Sequence, residues 1–146
     1  MPTPPPPPAD AFALCLDAAP ADIDELGHVS NLVYLRWVLD VATAHSSACG
    51  FDLPAYQRLG AVFVVRKHEL EYLAPVLLGE TVELHTWIAS WRGPSAERHT
   101  RMRRLSDGRE IARGITHWVL VGTTDGRPKR IPPELVDAFG AHATAR

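Results

Sequence analysis

Asp24 stands seven residues before Asn31, with Gly27, a residue free to take a positive φ, in the turn between them. An apolar run begins at Leu32, and Ser30 or Asn31 can cap a helix there. The first turn of a helix leaves backbone N–H groups unpaired and carries a partial positive charge. Such an end can hold an oxyanion, and a carboxylate beside it can deliver or activate water. The same residues also fit a plainer role. Asp22, Asp24 and His28 can simply cap and decorate the loop, with the carboxylate charge favoured by the helix dipole.

Other chemical arrangements are missing from the sequence. It has no Gly-rich phosphate loop, no Gly-x-Ser-x-Gly elbow and no His-Glu-x-x-His. His68, His85, His99 and His117 fall one to a strand, without the short spacing of metal ligands, so no metal site is expected.

The elements that must position Asp24 are legible from periodicity. The chain reads as a short strand over Ala11–Asp17, the polar loop, a helix from about Leu32 to Cys49, and then a series of strands. In the helix, Arg36, Asp40, Thr43 and Ser47 form one narrow polar stripe, and most other positions are apolar. A helix of that kind must be wrapped, and a curved sheet folded around it would do so. The strand segments are Val62–Leu73, Thr81–Trp91, Ala96–Leu105 and Ile111–Val121. Gly93-Pro94 and Ser106-Asp107-Gly108 join them as hairpins, which implies an antiparallel sheet. Ile131-Pro132-Pro133-Glu134 opens a short last helix. The expected class is α+β, an antiparallel sheet around one long central helix.

Composition bounds the rest. With 146 residues, a hydrophobic share of 46% and a charged share of 22%, the chain reads as a single globular domain over residues 11–140. A proline-rich tail over 1–10 is expected to be disordered or polyproline II, and a flexible end is expected over 141–146. A net charge of -2 gives no support for a nucleic-acid partner, and no apolar run is long enough for a membrane span. Two cysteines without a Cys-x-x-Cys motif, and a start without a basic n-region, give the expectation of a cytoplasmic protein.

The stretch Asp22-Ile23-Asp24-Glu25-Leu26-Gly27-His28-Val29-Ser30-Asn31-Leu32-Val33-Tyr34 resembles the Asp-x-x-Gly-His-Val-Asn-Asn-x-x-Tyr signature of hotdog-fold acyl-CoA thioesterases of the 4-hydroxybenzoyl-CoA thioesterase-like family. The likeness continues in Glu69–Pro75, Gly79-Glu80 and Trp91-Arg92, and so covers about Leu16 to Phe139. It implies a hotdog fold and hydrolysis of an acyl-CoA thioester to a carboxylic acid and free CoA. Asp24 would be the catalytic carboxylate, as general base or nucleophile, and the Asn31 N–H would hold the thioester oxygen. His28 would position the loop, and Tyr34 would pack against or line the acyl pocket. Arg92 would meet the CoA phosphates, although Gly93 and Pro94 depart from the basic residues usual there. Ser30 replaces the usual first Asn of the signature.

The resemblance further implies a homodimer or homotetramer with the site at a subunit junction, where Arg66 and His68 would line it from the second subunit. The apolar run Val62–Val65 is compatible with a strand beside a partner, and equally with a monomer's core. No cofactor is expected, since CoA is part of the substrate. Two alternatives use the same fold: a non-catalytic acyl-CoA or acyl-lipid binding domain, and a hydratase or dehydratase. Trp37, Trp87, Trp91 and Trp118 could shorten the pocket toward aryl or small acyl groups, or could be core.

Overall fold

The central helix starts where the cap residues put it. The computed structural model describes residues 5–140 and, as backbone alone, Thr144–Ala145. Ser30 is the N-cap of α1 (Asn31–Ala48), its hydroxyl accepting from the Leu32 N–H at 3.3 Å. The buried face of α1 carries Val33, Tyr34, Trp37, Val38, Val41, Ala42, His45 and Ser46. Arg36, Asp40, Thr43 and Ser47 form an exposed stripe, as their spacing predicts. The expected wrapping is incomplete within one chain: Leu35 and Leu39 are half-buried, and Leu32 is 72% exposed. The sheet covers only one side of the helix.

That sheet runs in the order β1-β3-β4-β5-β2, every neighbouring pair antiparallel. Its strands are β1 (Phe12–Asp17), β2 (Ala61–Tyr72), β3 (Thr81–Arg92), β4 (Ser95–Arg104) and β5 (Glu110–Gly122). Alternation decides which residues face the helix. Val82, Leu84, Thr86 and Ile88 on β3, and Ala96, Arg98, Thr100 and Met102 on β4, are all buried. In β2 the register shifts between Val65 and Lys67, leaving Arg66 as the extra residue of a bulge. This converts the continuous apolar run at the start of β2 into alternation further along. The α+β hotdog architecture implied by the resemblance is the one observed.

Two elements were not anticipated. A short helix, α2 (Leu53–Leu59), is capped by Asp52, whose Oδ1 accepts from the Ala55 N–H at 3.0 Å, with Pro54 in its first turn. A two-residue strand, β6 (Thr144–Ala145), pairs in parallel with Ser90–Trp91 of β3. The last helix, α3 (Pro133–Ala138), forms where its prolines place it. The expected tail over 1–10 is described only from Pro5, whose carbonyl accepts from Arg101 Nη1 at 2.8 Å. The expected flexible end lies outside the described residues except for β6.

Buried side chains fall into two groups. One joins the N-terminal half of α1 to β1, β3, β4 and β5 around Trp37, Val38, Leu84 and Met102. The other joins α2, α3 and the sheet around Trp91, Leu120 and Leu135. The Asp24 loop borders the first of these.

Candidate active site

The loop ahead of α1 is a tight reversal. Ile23 and Val29 form an antiparallel bridge, the Asp24 N–H donates to the His28 carbonyl at 2.8 Å, and the Gly27 N–H donates to the Asp24 carbonyl at 3.0 Å. Gly27 takes φ 79°, which a side chain would strain. The Val29 N–H donates to the Val76 carbonyl at 2.8 Å and ties the loop to the β2–β3 connection.

Within this loop the two aspartates have different surroundings. Asp22 is buried: its Oδ1 accepts from Arg36 Nη2 at 2.7 Å and its Oδ2 from the Ala19 N–H at 2.9 Å. The hydrogen bond from Arg36 holds the Asp22 carboxyl below the usual carboxylate range, against the opposing effect of burial. Asp24 is exposed. Its Oδ1 accepts from the Leu26 N–H at 2.9 Å and more distantly from the His28 N–H at 3.4 Å. Two backbone donors thus orient the carboxylate, while no side-chain cation among the described residues neutralises it.

Helix α1 begins at Asn31, seven residues after this carboxylate. The Leu32 and Val33 N–H groups bond Ser30, whereas the Asn31 N–H has no acceptor among the described residues. The Asn31 carbonyl accepts from the Tyr72 hydroxyl at 3.3 Å. Tyr34 packs edge-on against Tyr72 and Trp37, with ring centroids at 5.3 and 5.6 Å. Burial raises the Tyr34 phenol above its ordinary value, and the Asp24 charge acts in the same direction. Asp24, His28, Asn31 and Tyr34 are therefore brought together at one end of α1. Tyr72 joins them unforeseen, although it lies in the Glu69–Pro75 stretch that carries the resemblance.

Arg66, His68 and Arg92 sit elsewhere in the chain. Arg66 is exposed at the β2 bulge, with no partner among the described residues. His68 is half-buried, its Nδ1 3.0 Å from Thr116 Oγ1, and burial lowers its pKa. Arg92 ends β3 in a shallow depression shared with Gly93, Arg130 and Pro132. No contact recorded among the described residues joins any of the three to the Asp24 loop.

Comparison with known proteins gives a consistent picture. A sequence model of the thioesterase-like superfamily matches residues 18–139. YneP of Bacillus subtilis, provisionally named an acyl-CoA thioesterase, is 32% identical over 73 residues, covering 50% of this chain and 53% of its own. Protein THEM6 of Danio rerio is 34% identical over 87 residues, covering 60% of this chain and 43% of its own. The chain thus spans about half the length of these curated relatives. Among solved structures, a 1,4-dihydroxy-2-naphthoyl-CoA thioesterase from Synechocystis superposes with a TM-score of 0.81 at 16% identity. That match covers 88% of this chain and 95% of the other, and at that identity it speaks to the fold.

Proposed function

The chain belongs to the thioesterase-like superfamily, and from that membership we propose that it hydrolyses the thioester of an acyl-CoA to a carboxylic acid and free CoA. What supports this reading is an exposed Asp24 carboxylate, oriented by two backbone N–H groups, in the loop that leads into α1, whose Asn31 N–H has no acceptor among the described residues. A thioester carbonyl accepting from Asn31 would develop its negative charge at the positive end of the helix. Asp24 would then either take a proton from an attacking water or attack the carbonyl carbon itself. His28 lends its backbone, through its N–H to Asp24 Oδ1 and its carbonyl to the Asp24 N–H, which supports a positioning role. Tyr34 and Tyr72 would close the apolar side of the site.

The acting form on this reading is a homodimer or homotetramer. β2 lies at an edge of the sheet and carries Val62–Val65, with Val64 exposed, so a second copy could pair there. Arg66 and His68 on the same strand would then approach the partner's Asp24 loop, and Arg92 would serve the CoA phosphates. No helix among the described residues is long and apolar enough to cross a membrane. The two unpaired cysteines support a cytoplasmic setting.

The test is incubation with a panel of acyl-CoAs, alkyl and aryl, in the presence of a thiol-detecting reagent. Sustained release of free CoA supports hydrolysis. Tight binding without release would instead identify an acyl-CoA binding domain.

A further inference from the structure

At the far end of α1 from the Asp24 loop, α1, α2 and the inner faces of β2–β5 bound a cavity of about 240 Å³. Its wall is mainly apolar, with Phe51, Phe63, Trp91 and Trp118 among the lining residues. At a helix rise of about 1.5 Å per residue, Ser46 on this wall lies roughly 22 Å along the axis from Asn31.

Arg98 reaches the same cavity from β4 and is only 4% exposed. Its Nη1 donates to His45 Nδ1 at 2.9 Å and to Thr86 Oγ1 at 3.0 Å. An imidazole nitrogen that accepts from a guanidinium carries no proton, so His45 brings no negative charge and no positive one. The Thr86 hydroxyl in turn donates to the His99 carbonyl at 2.9 Å. Both Nη1 hydrogens are thus used on neutral acceptors, and the head group is fixed. Nε and Nη2, which share the other edge of the planar group, have no acceptor among the described residues.

No carboxylate among the described residues balances the Arg98 charge. The Phe139 ring lies 5.8 Å from the guanidinium carbon. Tyr56 and Cys49 are the acidic groups that act on it, and burial raises the pKa of both, which keeps them neutral. Ser46 donates to the Phe51 carbonyl at 2.7 Å, so the Tyr56 proton is directed to Ser46, also at 2.7 Å. Asp52 also lines the cavity, but it is exposed and caps α2. Desolvation pushes Arg98 down to about 10, a level at which it is still charged at neutral pH. Trp91 Nε1 and Trp118 Nε1, from two more lining residues, are likewise buried donors without acceptors among the described residues. Among the described residues the wall offers hydrogen-bond donors in excess and one cation without a counter-charge, which is costly in an apolar interior unless an anion joins it.

We propose that this cavity binds a carboxylate carried on an apolar body, its two oxygens on the Nε–Nη2 edge of Arg98 and its body against Phe51, Phe63 and the two tryptophans. A planar fork matches a planar carboxylate through two parallel hydrogen bonds. A single cation in an apolar wall suits one negative charge better than the two of a phosphate monoester. The carboxylate has two possible sources: a free organic acid, or the distal end of an acyl group that bears a second carboxylate. Only the second source rests on the hydrolytic reading.

The free acid is tested by titrating the protein with octanoate and, as a neutral isostere, octanamide, following tryptophan fluorescence and melting temperature. Saturable octanoate binding at least ten-fold tighter than octanamide, with a rise in melting temperature, is expected. Arg98→Met should abolish that preference and leave the unliganded protein at least as stable, because an uncompensated buried charge is removed. The acyl source is tested by comparing kcat/KM for hexadecanedioyl-CoA, whose extended acyl group ends in a carboxylate and matches the roughly 20 Å of helix between Asn31 and the Arg98 partner His45, with that for palmitoyl-CoA. A preference for hexadecanedioyl-CoA that is lost in Arg98→Met supports this source. No saturable octanoate binding together with no hexadecanedioyl preference overturns the proposal, as does equal binding of octanoate and octanamide with no hexadecanedioyl preference. If neither acyl-CoA is cleaved, the hydrolytic reading fails and the octanoate titration alone decides the cavity. If Arg98→Met does not fold, both ligand comparisons on the unaltered protein still decide it.

Discussion

Asp22 Oδ1 accepts from Arg36 Nη2 at 2.7 Å and so fastens the loop ahead of α1 to the second turn of that helix. Asp22 is buried and Arg36 is half-exposed, and the carboxyl is held below its ordinary pKa by the hydrogen bond from Arg36. A carboxyl depressed in the folded state contributes stability that is fully present above its unfolded pKa and lost as pH falls through the folded one. With an unfolded value of about 3.9 for aspartate, that loss belongs below about pH 4. Asp22→Asn is therefore expected to lower the melting temperature by several degrees at pH 7. The gap from the parent protein should be narrower at pH 3, because below its unfolded pKa the carboxyl loses part of that stability. Thermal melts at the two pH values check this.

The proline tail makes a smaller contribution. Pro5 offers its carbonyl to Arg101 at 2.8 Å, while Arg101 also pairs with Glu110 on β5. β1 starts only at Phe12, so removing residues 1–10 breaks no ladder bond and leaves Arg101 with a carboxylate partner. The truncated protein should melt within about 2 °C of the full chain, less than the roughly 4 °C that one lost kcal/mol takes from a domain of this size. A larger drop would show that the contacts of Pro7 and Pro8 beside His85 carry real stability.

How far the residues announced their own surroundings depended on how local the cause was. The stripe Arg36-Asp40-Thr43-Ser47 is a matter of helical spacing alone, and it is exposed as spacing requires. The hairpins at Gly93-Pro94 and Ser106–Gly108 follow from turn chemistry and form where expected. Asp52 and Pro54 were an equally local signal for α2, hidden by the nearness of the Gly50 break. Asp22 and Asp24 look alike in sequence, since nothing local shows that Arg36, 14 residues on, will claim only the first. Arg98 and His45 are harder still. Their meeting across 53 positions depends on the curvature of β4 over α1, and in sequence Arg98 is one of several arginines on a strand.

Assembly is a prediction about β2. The strand pairs with β5 on one side only, so the backbone groups of its other edge have no strand partner among the described residues. An unpaired twelve-residue edge with an apolar start invites a second copy. Light scattering is expected to give at least twice the mass of one chain across a wide concentration range. Val64→Lys, placed on the exposed side of that start, should shift the equilibrium toward monomer. A monomer mass for the unaltered protein at all concentrations would remove the edge-pairing argument and the role suggested for Arg66 and His68.

Asp24→Asn separates chemistry from architecture at the loop. The swap keeps the acceptor oxygen for the Leu26 N–H and removes the charge that would activate water or attack the carbonyl. Because Asp24 is exposed and, among the described residues, bonded only to its own loop, the melting temperature of this variant should stay close to the parent's, unlike that of Asp22→Asn. Losing a positioned general base costs about 10²–10⁴ in rate, and losing a nucleophile could cost more. The expected pattern is a collapse of kcat at nearly unchanged substrate affinity, since the Asn31 N–H and the apolar contacts of Tyr34 remain. Asp22→Asn should give the converse, an earlier melt with most activity retained per folded molecule. If Asp24→Asn melts early and still turns over, Asp24 is a loop-stabilising residue and the hydrolytic centre must be sought elsewhere.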